Sequence, residues 1–243
     1  MTVESYRIAL AGNPNTGKST LFNLLTGLRQ HTGNWPGKTV LRAEGSFTYR
    51  SRNFQVIDLP GTYSLYSNSA DEETARDYII FEKPDVTVVV LDATALERNL
   101  NLALQVMEMT DRVIVCVNLI DEAKRKGIVV DDRKMAARLG VPVVKISARN
   151  QEGVDALLDT VFRMVTGEMK ARPVQVRYSA ATENKISRLV PRIQSLIGPD
   201  VPARWIALRM LDGDRSLLDS LKAHWMSRGK GDGEVEHDIS RSV

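Results

Sequence analysis

The sequence predicts an α/β protein with a mixed, mostly parallel six-stranded sheet, followed by a small all-α helical domain. Three observations carry this reading. Short β-branched runs alternate with amphipathic segments of helical period as far as residue 165. A glycine-rich turn follows the first apolar run and leads straight into a helical pattern. Beyond residue 173 the alternation stops and only helical periods recur.

The expected strands cover residues 8–11, 43–49, 54–58, 86–92, 113–118 and 143–146. The expected helices cover residues 18–26, 70–81, 97–109, 133–139 and 154–165. Only Arg50-Ser-Arg-Asn53 separates the second strand from the third. So short a connection requires an antiparallel hairpin, and this makes the sheet mixed. In such sheets ligands bind at the carboxyl ends of the strands. Gly167-Glu-Met-Lys-Ala-Arg-Pro173 reads as a helix stop and a polar linker. Helical patterns then run over residues 180–197, 202–211 and 216–228, broken at Gly198-Pro199 and Asp212-Gly213-Asp214. The glycine- and charge-rich end has the composition of a flexible tail. The expected division is 1–168, 169–228 and a tail at 229–243.

Composition narrows the class. Of the 243 residues, 43% are hydrophobic and 26% charged, as in ordinary globular proteins. The net charge of +3 is the small difference of 33 bases and 30 acids, scattered along the chain, and calls for no acidic partner. The single cysteine, Cys116, sits in the apolar run Val113-Ile-Val-Cys-Val117 and reads as a core residue of a reducing compartment. His31, His224 and His237 have no metal-ligand spacing. The first residues, with Glu4 and Arg7, do not resemble a signal peptide. No apolar run approaches the ~20 residues of a membrane helix, so these residues alone are expected to be soluble.

Residues 12–20 read Gly-Asn-Pro-Asn-Thr-Gly-Lys-Ser-Thr. Gly12, Gly17, Lys18 and Ser19 fit the G-x-x-x-x-G-K-[ST] phosphate loop, a match expected by chance in about one chain in a hundred of this length. Asn13, Pro14, Asn15, Thr16, Gly17, Lys18, Ser19 and Thr20 are the expected polyphosphate contacts. Lys18 would reach the outer phosphates and the Ser19 hydroxyl would ligate Mg²⁺. Asp58-Leu-Pro-Gly61 ends the third strand. There Asp58 would hold Mg²⁺ through water and the Gly61 N–H would sense the γ-phosphate. Asn118-Leu-Ile-Asp121 has the form of a guanine reader in which the Asp121 carboxylate accepts from the base. Leu119 stands where a lysine stem usually packs on the base, so weaker guanine binding is expected. Ser147-Ala148-Arg149 follows the last strand and reads as the loop that contacts guanine O6.

Residues 29–40 have the composition of a mobile loop. Thr39, directly before a strand, is favoured over Thr32 as the threonine closing on Mg²⁺ and the γ-phosphate. Trp35-Pro36 within it serves either local packing or a contact surface exposed in one nucleotide state. Thr62 follows Gly61 where many GTPases carry a water-positioning glutamine. No arginine in the loop has the look of a catalytic finger. Asn15 offers a neutral oxygen near the α- and γ-phosphates, so a K⁺ ion held by Asn15 and loop carbonyls would supply the missing charge. The expected catalytic set is therefore Lys18, Asn15, Thr39 and Gly61, with Ser19, Thr39 and Asp58 for Mg²⁺ and Asn15 for K⁺.

These segments, with Gly33-Asn-Trp-Pro-Gly-Lys-Thr39, Thr62-Tyr-Ser-Leu65 and Arg204-Trp-Ile-Ala-Leu-Arg-Met-Leu-Asp-Gly-Asp214, resemble the N-terminal cytosolic region of the ferrous iron transport protein B (FeoB) family. The resemblance runs from about residue 5 to about residue 225. It implies a Ras-like G domain binding GTP and GDP, slow potassium-stimulated hydrolysis, and a helical domain that stabilises bound GDP. It also implies a membrane permease domain as partner in the same full-length protein and a place at the cytoplasmic face of the bacterial inner membrane. Homo-oligomerisation stays open, no nucleic-acid partner is expected and no direct iron site is evident. Asp71-Glu-Glu73 with Asp77 reads as a solvated helix N-terminus. The competing readings are a ribosome- or RNA-associated GTPase, which lacks support from any basic patch with interleaved aromatics, and a nucleotide-gated binding module with negligible hydrolysis. An ATPase is disfavoured by Asn118 and Asp121.

Overall fold

The apolar run β1 (Ser5–Gly12) organises the sheet, because its alternate side chains face opposite layers. Ile8 and Leu10 pack with Leu21, Phe22, Leu157 and Val161, while Ala9 and Ala11 pack with Leu102 and Val106. The computed structural model describes residues 5–27, 30–36, 38–66 and 69–226. The expected tail at 229–243, His237, Arg29, Gly37 and residues 67–68 lie outside the described residues.

Around β1 lie β2 (Gln30–Asn34), β3 (Leu41–Tyr49), β4 (Arg52–Asp58), β5 (Val86–Asp92), β6 (Val113–Asn118) and β7 (Val143–Lys145), in the order β2-β3-β4-β1-β5-β6-β7. The pairs β1–β4, β1–β5, β5–β6 and β6–β7 are parallel, and β2–β3 and β3–β4 antiparallel. Helices α1 (Lys18–Thr26) and α6 (Val154–Val165) cover one face. The other is covered by α2 (Ala70–Asp77), α3 (Leu96–Met109), α4 (Ile120–Arg125) and α5 (Asp132–Leu139). Cys116 is fully buried, and that burial pushes its thiol pKa up.

Three expectations change. Among the described residues the sheet has seven strands, not six, because β2 forms inside the stretch read as a loop. Its sequence, Gln-His-Thr-Gly-Asn, has no apolar alternation, and edge pairing with β3 rather than side-chain burial holds it. The turn after it is closed by Trp35 N–H donating to the Val40 carbonyl at 2.9 Å. The Trp35 ring is buried edge-on against Tyr78 at 5.3 Å, so the local-packing reading describes this state. The helix expected over 70–81 changes pitch. After Asp77 it widens into a π-helical turn, Tyr78–Glu82, which buries the consecutive Tyr78, Ile79 and Ile80. Finally, α4 spans only six residues, too few to show a helical period.

The C-terminal helices α7 (Ala180–Ile197), α8 (Ala203–Leu211) and α9 (Arg215–Met226) share the apolar cluster of α3. Trp205, Ile206, Ala207 and Leu208 are all buried in it. The segment before α7 is pinned by Arg172 N–H to the Gly140 carbonyl, 2.8 Å, and Val174 N–H to the Leu139 carbonyl, 2.9 Å. Gly140 has φ 72°, and a Cβ there would lie 2.0 Å from the Arg172 carbonyl oxygen, so only glycine allows this approach.

Two polar clusters fix the helices. Arg204 forms a bidentate pair with Glu183, 2.7 and 2.8 Å, and donates to the Val176 carbonyl at 2.9 Å. Tyr178 O–H donates to Glu108 on α3 at 3.3 Å. The Arg76 side chain on α2 is fully buried; it donates to Asp77 at 2.8 Å and to Ser220 on α9 at 3.0 Å. Ser216 and Ser220 donate in turn to Glu73, 2.5 Å, and Asp77, 3.0 Å. Glu73 and Asp77 are thus taken up by α9 and by Lys38, 3.8 and 3.6 Å, which corrects the view of this acidic turn as merely solvated.

The Arg204 hydrogen bonds, with Tyr178 N–H, hold the Glu183 carboxyl down from its ordinary 4.5 to about 2. A depressed carboxyl stabilises the fold above its unfolded pKa, and this contribution is lost as the pH falls through the folded value. Glu183→Gln should therefore lower the urea midpoint at pH 7. The gap from the unaltered chain should narrow between pH 4.5 and pH 2, and an equal gap at pH 3 and pH 7 would contradict the pairing.

Candidate functional site

The carboxyl ends of β1, β4, β6 and β7 meet at one edge of the sheet, and the motifs lie there. The phosphate loop leaves β1 and enters α1 through Gly17, a residue with no side-chain cap to satisfy the first-turn N–H groups. Such an uncapped helix start suits an anion. Asn15 is exposed and left-handed, φ 66°, a conformation asparagine tolerates. Ser19 and Thr20 are exposed, and Thr16 O–H donates to the Asn13 carbonyl at 3.0 Å.

Lys18 is buried and donates to the Asp58 carboxylate and, at 2.6 Å, to the Leu59 carbonyl. Sequence reasoning gave Lys18 to the phosphates and Asp58 to Mg²⁺; in this state the two hold each other. Burial pushes the Asp58 carboxyl pKa up, opposed by the Lys18 charge and by hydrogen bonds from Lys18 and Ser19. One carboxylate beside one hydroxyl fits a Mg²⁺ that keeps waters and takes its other ligands from phosphates. Among the described residues there is no group of three or more His, Cys, Asp or Glu side chains that could hold a metal by themselves.

Asn118, 1% exposed at the end of β6, joins two loops. Its Nδ2 donates to the Thr16 carbonyl at 2.9 Å, and its Oδ1 accepts from Ala148 N–H at 3.0 Å. Gly17 must be glycine here, since with φ 77° its Cβ would lie 2.4 Å from Asn118 Nδ2. Asp121 accepts from Ser147 O–H at 2.9 Å, and this bond holds its carboxyl below the usual range, as a charged acceptor needs. Arg149 is exposed beside them. Leu119 adopts φ 63°, and its Cδ2 lies 3.8 Å from the Cβ position of Gly17, beside the phosphate loop.

The structure does not bring in the loop threonine. Ala43 pairs with Asp58, so Thr39 lies beyond the same end of the sheet, exposed, and among the described contacts it is not joined to the phosphate loop. Thr32 is exposed on β2, opposite Ala43. Thr62 is 4% exposed, turned inward, with its N–H donating to the Gly12 carbonyl at 3.2 Å.

Sequence reasoning missed the groups that hold the segment after Gly61. Gln105 accepts from Leu65 N–H at 2.7 Å, Arg98 lies over the Tyr63 ring at 5.4 Å, and Arg209 over the Tyr66 ring at 4.4 Å. Gln105 and Asn99, buried polar residues on the apolar stripe of α3, were the available signal.

A family model described as Ferrous iron transport protein B matches residues 6–161, well over half the chain. The chain belongs to the FeoB family. A second model, the FeoB cytosolic helical domain, matches residues 178–241. An Fe(2+) transporter FeoB of Methanocaldococcus jannaschii is 43% identical, over 90% of this chain and 32% of that protein. An Fe(2+) transport protein A/Fe(2+) transporter FeoB fusion of Porphyromonas gingivalis is 38% identical, over 87% of this chain and 26% of that one. This chain thus spans about a quarter to a third of these curated relatives. The cytosolic domain of the T. maritima FeoB iron transporter in apo form matches with TM-score 0.82 and 34% identity, over 96% of this chain and 90% of that one. The same domain in a GDP form gives 0.82 and 34%, over 97% and 90%. The architecture is accordingly a Ras-like G domain with a helical domain.

Leu119→Lys should tighten GDP binding several-fold in a fluorescent-GDP titration, because the longer stem adds packing area beside the base site. An unchanged affinity would show that Leu119 costs nothing.

Proposed function

We propose that this chain is the GTP-hydrolysing part of a ferrous iron transporter and that it regulates or drives iron uptake through an attached membrane permease domain. It would work at the cytoplasmic face of the bacterial inner membrane. The division is a GTPase domain at 1–168, a helical domain at 169–228 and a tail at 229–243. The observation that carries the reading is the convergence of Lys18, Ser19 and Asp58 with Asn118, Asp121 and Ser147 at one sheet edge. The relatives named as iron transporters, and the related domain in a GDP form, support it.

In this reading water attacks the γ-phosphorus, the bond to the bridging oxygen breaks, and GDP and phosphate leave. Lys18 turns from Asp58 to the outer phosphates, the Gly61 N–H faces the γ-phosphate, and Thr39 closes over it. Asp121 and Ser147, with Ala148 and Arg149, face the base, and Asn118 keeps their loop in register with the phosphate loop. Ser19 and Asp58 would hold Mg²⁺, which supplies neutralising charge when bound. Asn15 would hold K⁺ with loop carbonyls. Hydrolysis is slow, since the inward Thr62 cannot orient water as a glutamine would.

GTP turnover by the purified chain in matched KCl and NaCl tests this. Strong K⁺ stimulation, lost in Asn15→Ala, is expected. Equal rates would remove the potassium role. No turnover in any monovalent salt, with GDP still bound, would favour the binding module that the inward Thr62 also suits.

A further inference from the structure

Asn13 is 1% exposed, and among the described residues neither its side-chain nitrogen nor its side-chain oxygen has a hydrogen-bond partner. A buried primary amide with neither end paired is costly, and an apolar residue of the same size would be free of that cost. Backbone needs do not explain the choice, since the Asn13 carbonyl is already engaged by Thr16 O–H at 3.0 Å. In the chain Asn13 lies between Gly12 and Pro14, the two phosphate-loop residues that residues 61–62 approach. On one side Thr62 N–H reaches the Gly12 carbonyl at 3.2 Å, near the long end for such bonds. On the other, Gly61 lies against Pro14, with a Cβ position 3.6 Å from the Pro14 Cα.

We propose that Asn13 is a positioning residue that discriminates nucleoside triphosphate from diphosphate: its amide takes partners from the backbone of residues 61–62 only when that segment has shifted toward a γ-phosphate. The proposal rests on the guanine-nucleotide reading above and deepens it. In the state described here the segment is latched by Thr62 N–H on Gly12, and the amide is idle. When Gly61 N–H turns to an outer phosphate, the Thr62 bond is given up. Displaced peptide groups then pass the flanked amide, which has one donor end and one acceptor end to offer. The cost carried in one state becomes a gain in the other, and this is how a buried polar group biases a two-state loop.

The test compares the unaltered chain, Asn13→Ala and the near-isosteric Asn13→Leu. Affinities for fluorescent GDP and for a non-hydrolysable GTP analogue are measured by titration, and unfolding midpoints without nucleotide by calorimetry. The expected result is an analogue affinity that falls about tenfold more than GDP affinity in both variants, the loss of one or two buried hydrogen bonds. Nucleotide-free midpoints should be equal to or above that of the unaltered chain. Equal losses for both nucleotides would overturn the inference. So would lowered midpoints or unfolding in both variants, since the amide would then be satisfied in the resting state. If the unaltered chain binds neither nucleotide, the guanine-nucleotide reading itself fails; binding by the unaltered chain with an unshifted ratio removes Asn13 alone.

Discussion

Asn118 holds the nucleotide end of the sheet together with the two polar atoms of one side chain. Its nitrogen bonds the phosphate loop at Thr16 and its oxygen bonds the last loop at Ala148. The loops start from β1 and β7, which are not neighbours, and β6 carries the residue that bridges them. Nearly complete burial takes water away from both bonds, so removing the amide would leave a carbonyl and an N–H unpaired. Other features follow from this span. Gly17 has no room for a side chain because the amide crosses there. Ser147, 1% exposed, is fixed where its hydroxyl can reach Asp121. In the proposed reading the guanine side of the site is thus preorganised, whereas on the phosphate side Lys18 is engaged with Asp58 and would have to exchange partners.

The helical domain is joined to the G domain by burial more than by charge. Trp205, 1% exposed, shares one apolar cluster with Leu102 and Val106 of α3. Truncating a buried Trp typically costs about 3–5 kcal/mol. The Arg204–Glu183 pair is partly exposed, and solvent screens pairs of that kind. The pair links α8 to α7, and Trp205 next to it supplies most of the burial.

Wherever apolar period sets an element, the residues alone revealed it. The runs 86–92 and 113–118 and the helices at 18–26 and 154–165 match their observed bounds. Elements held by something else were illegible. β2 is polar and exists through pairing with β3, and the π turn exists because Tyr78, Ile79 and Ile80 all find the core. In the site, residue types at fixed spacing were readable because phosphate and base chemistry restrict them. Partners were not. Nothing near Asn118 in sequence says that Thr16 and Ala148 occupy its amide, nor does anything near Asp58 say that Lys18 is bound to it. Thr62 was recognised as a departure from glutamine, but its inward packing depends on Gly12, 50 positions away, and is a tertiary fact.

The strengths of these attachments decide what can move. Thr62 is buried and its N–H is held by one 3.2 Å hydrogen bond to the Gly12 carbonyl, and a Cβ at Gly61 would lie 3.6 Å from the Pro14 Cα. Four residues on from Gly61, Leu65 is fully buried and its N–H is held by Gln105, an anchor worth about 2–4 kcal/mol in side-chain burial and one hydrogen bond. A shift of the first two residues therefore stops at Leu65 unless something larger drives it. Beyond Leu65, the Tyr66–Arg209 contact is partly exposed and worth about 0.5–1 kcal/mol. The α2–α9 junction is different, because Arg76 is wholly buried among Asp77, Ser216 and Ser220. Pulling it apart would break the Arg76–Ser220 and Ser216–Glu73 hydrogen bonds and leave Arg76 paired with Asp77 on its own helix. Helix α2 is tied in this way to α9 of the helical domain, and Lys38, at 3.6–3.8 Å from Glu73 and Asp77, adds only long ion pairs. The helical domain is thus tied to α2 through Arg76 and to α3 through the Trp205 cluster, while the Thr62 N–H, beside the phosphate loop, has the longer 3.2 Å hydrogen bond to the Gly12 carbonyl.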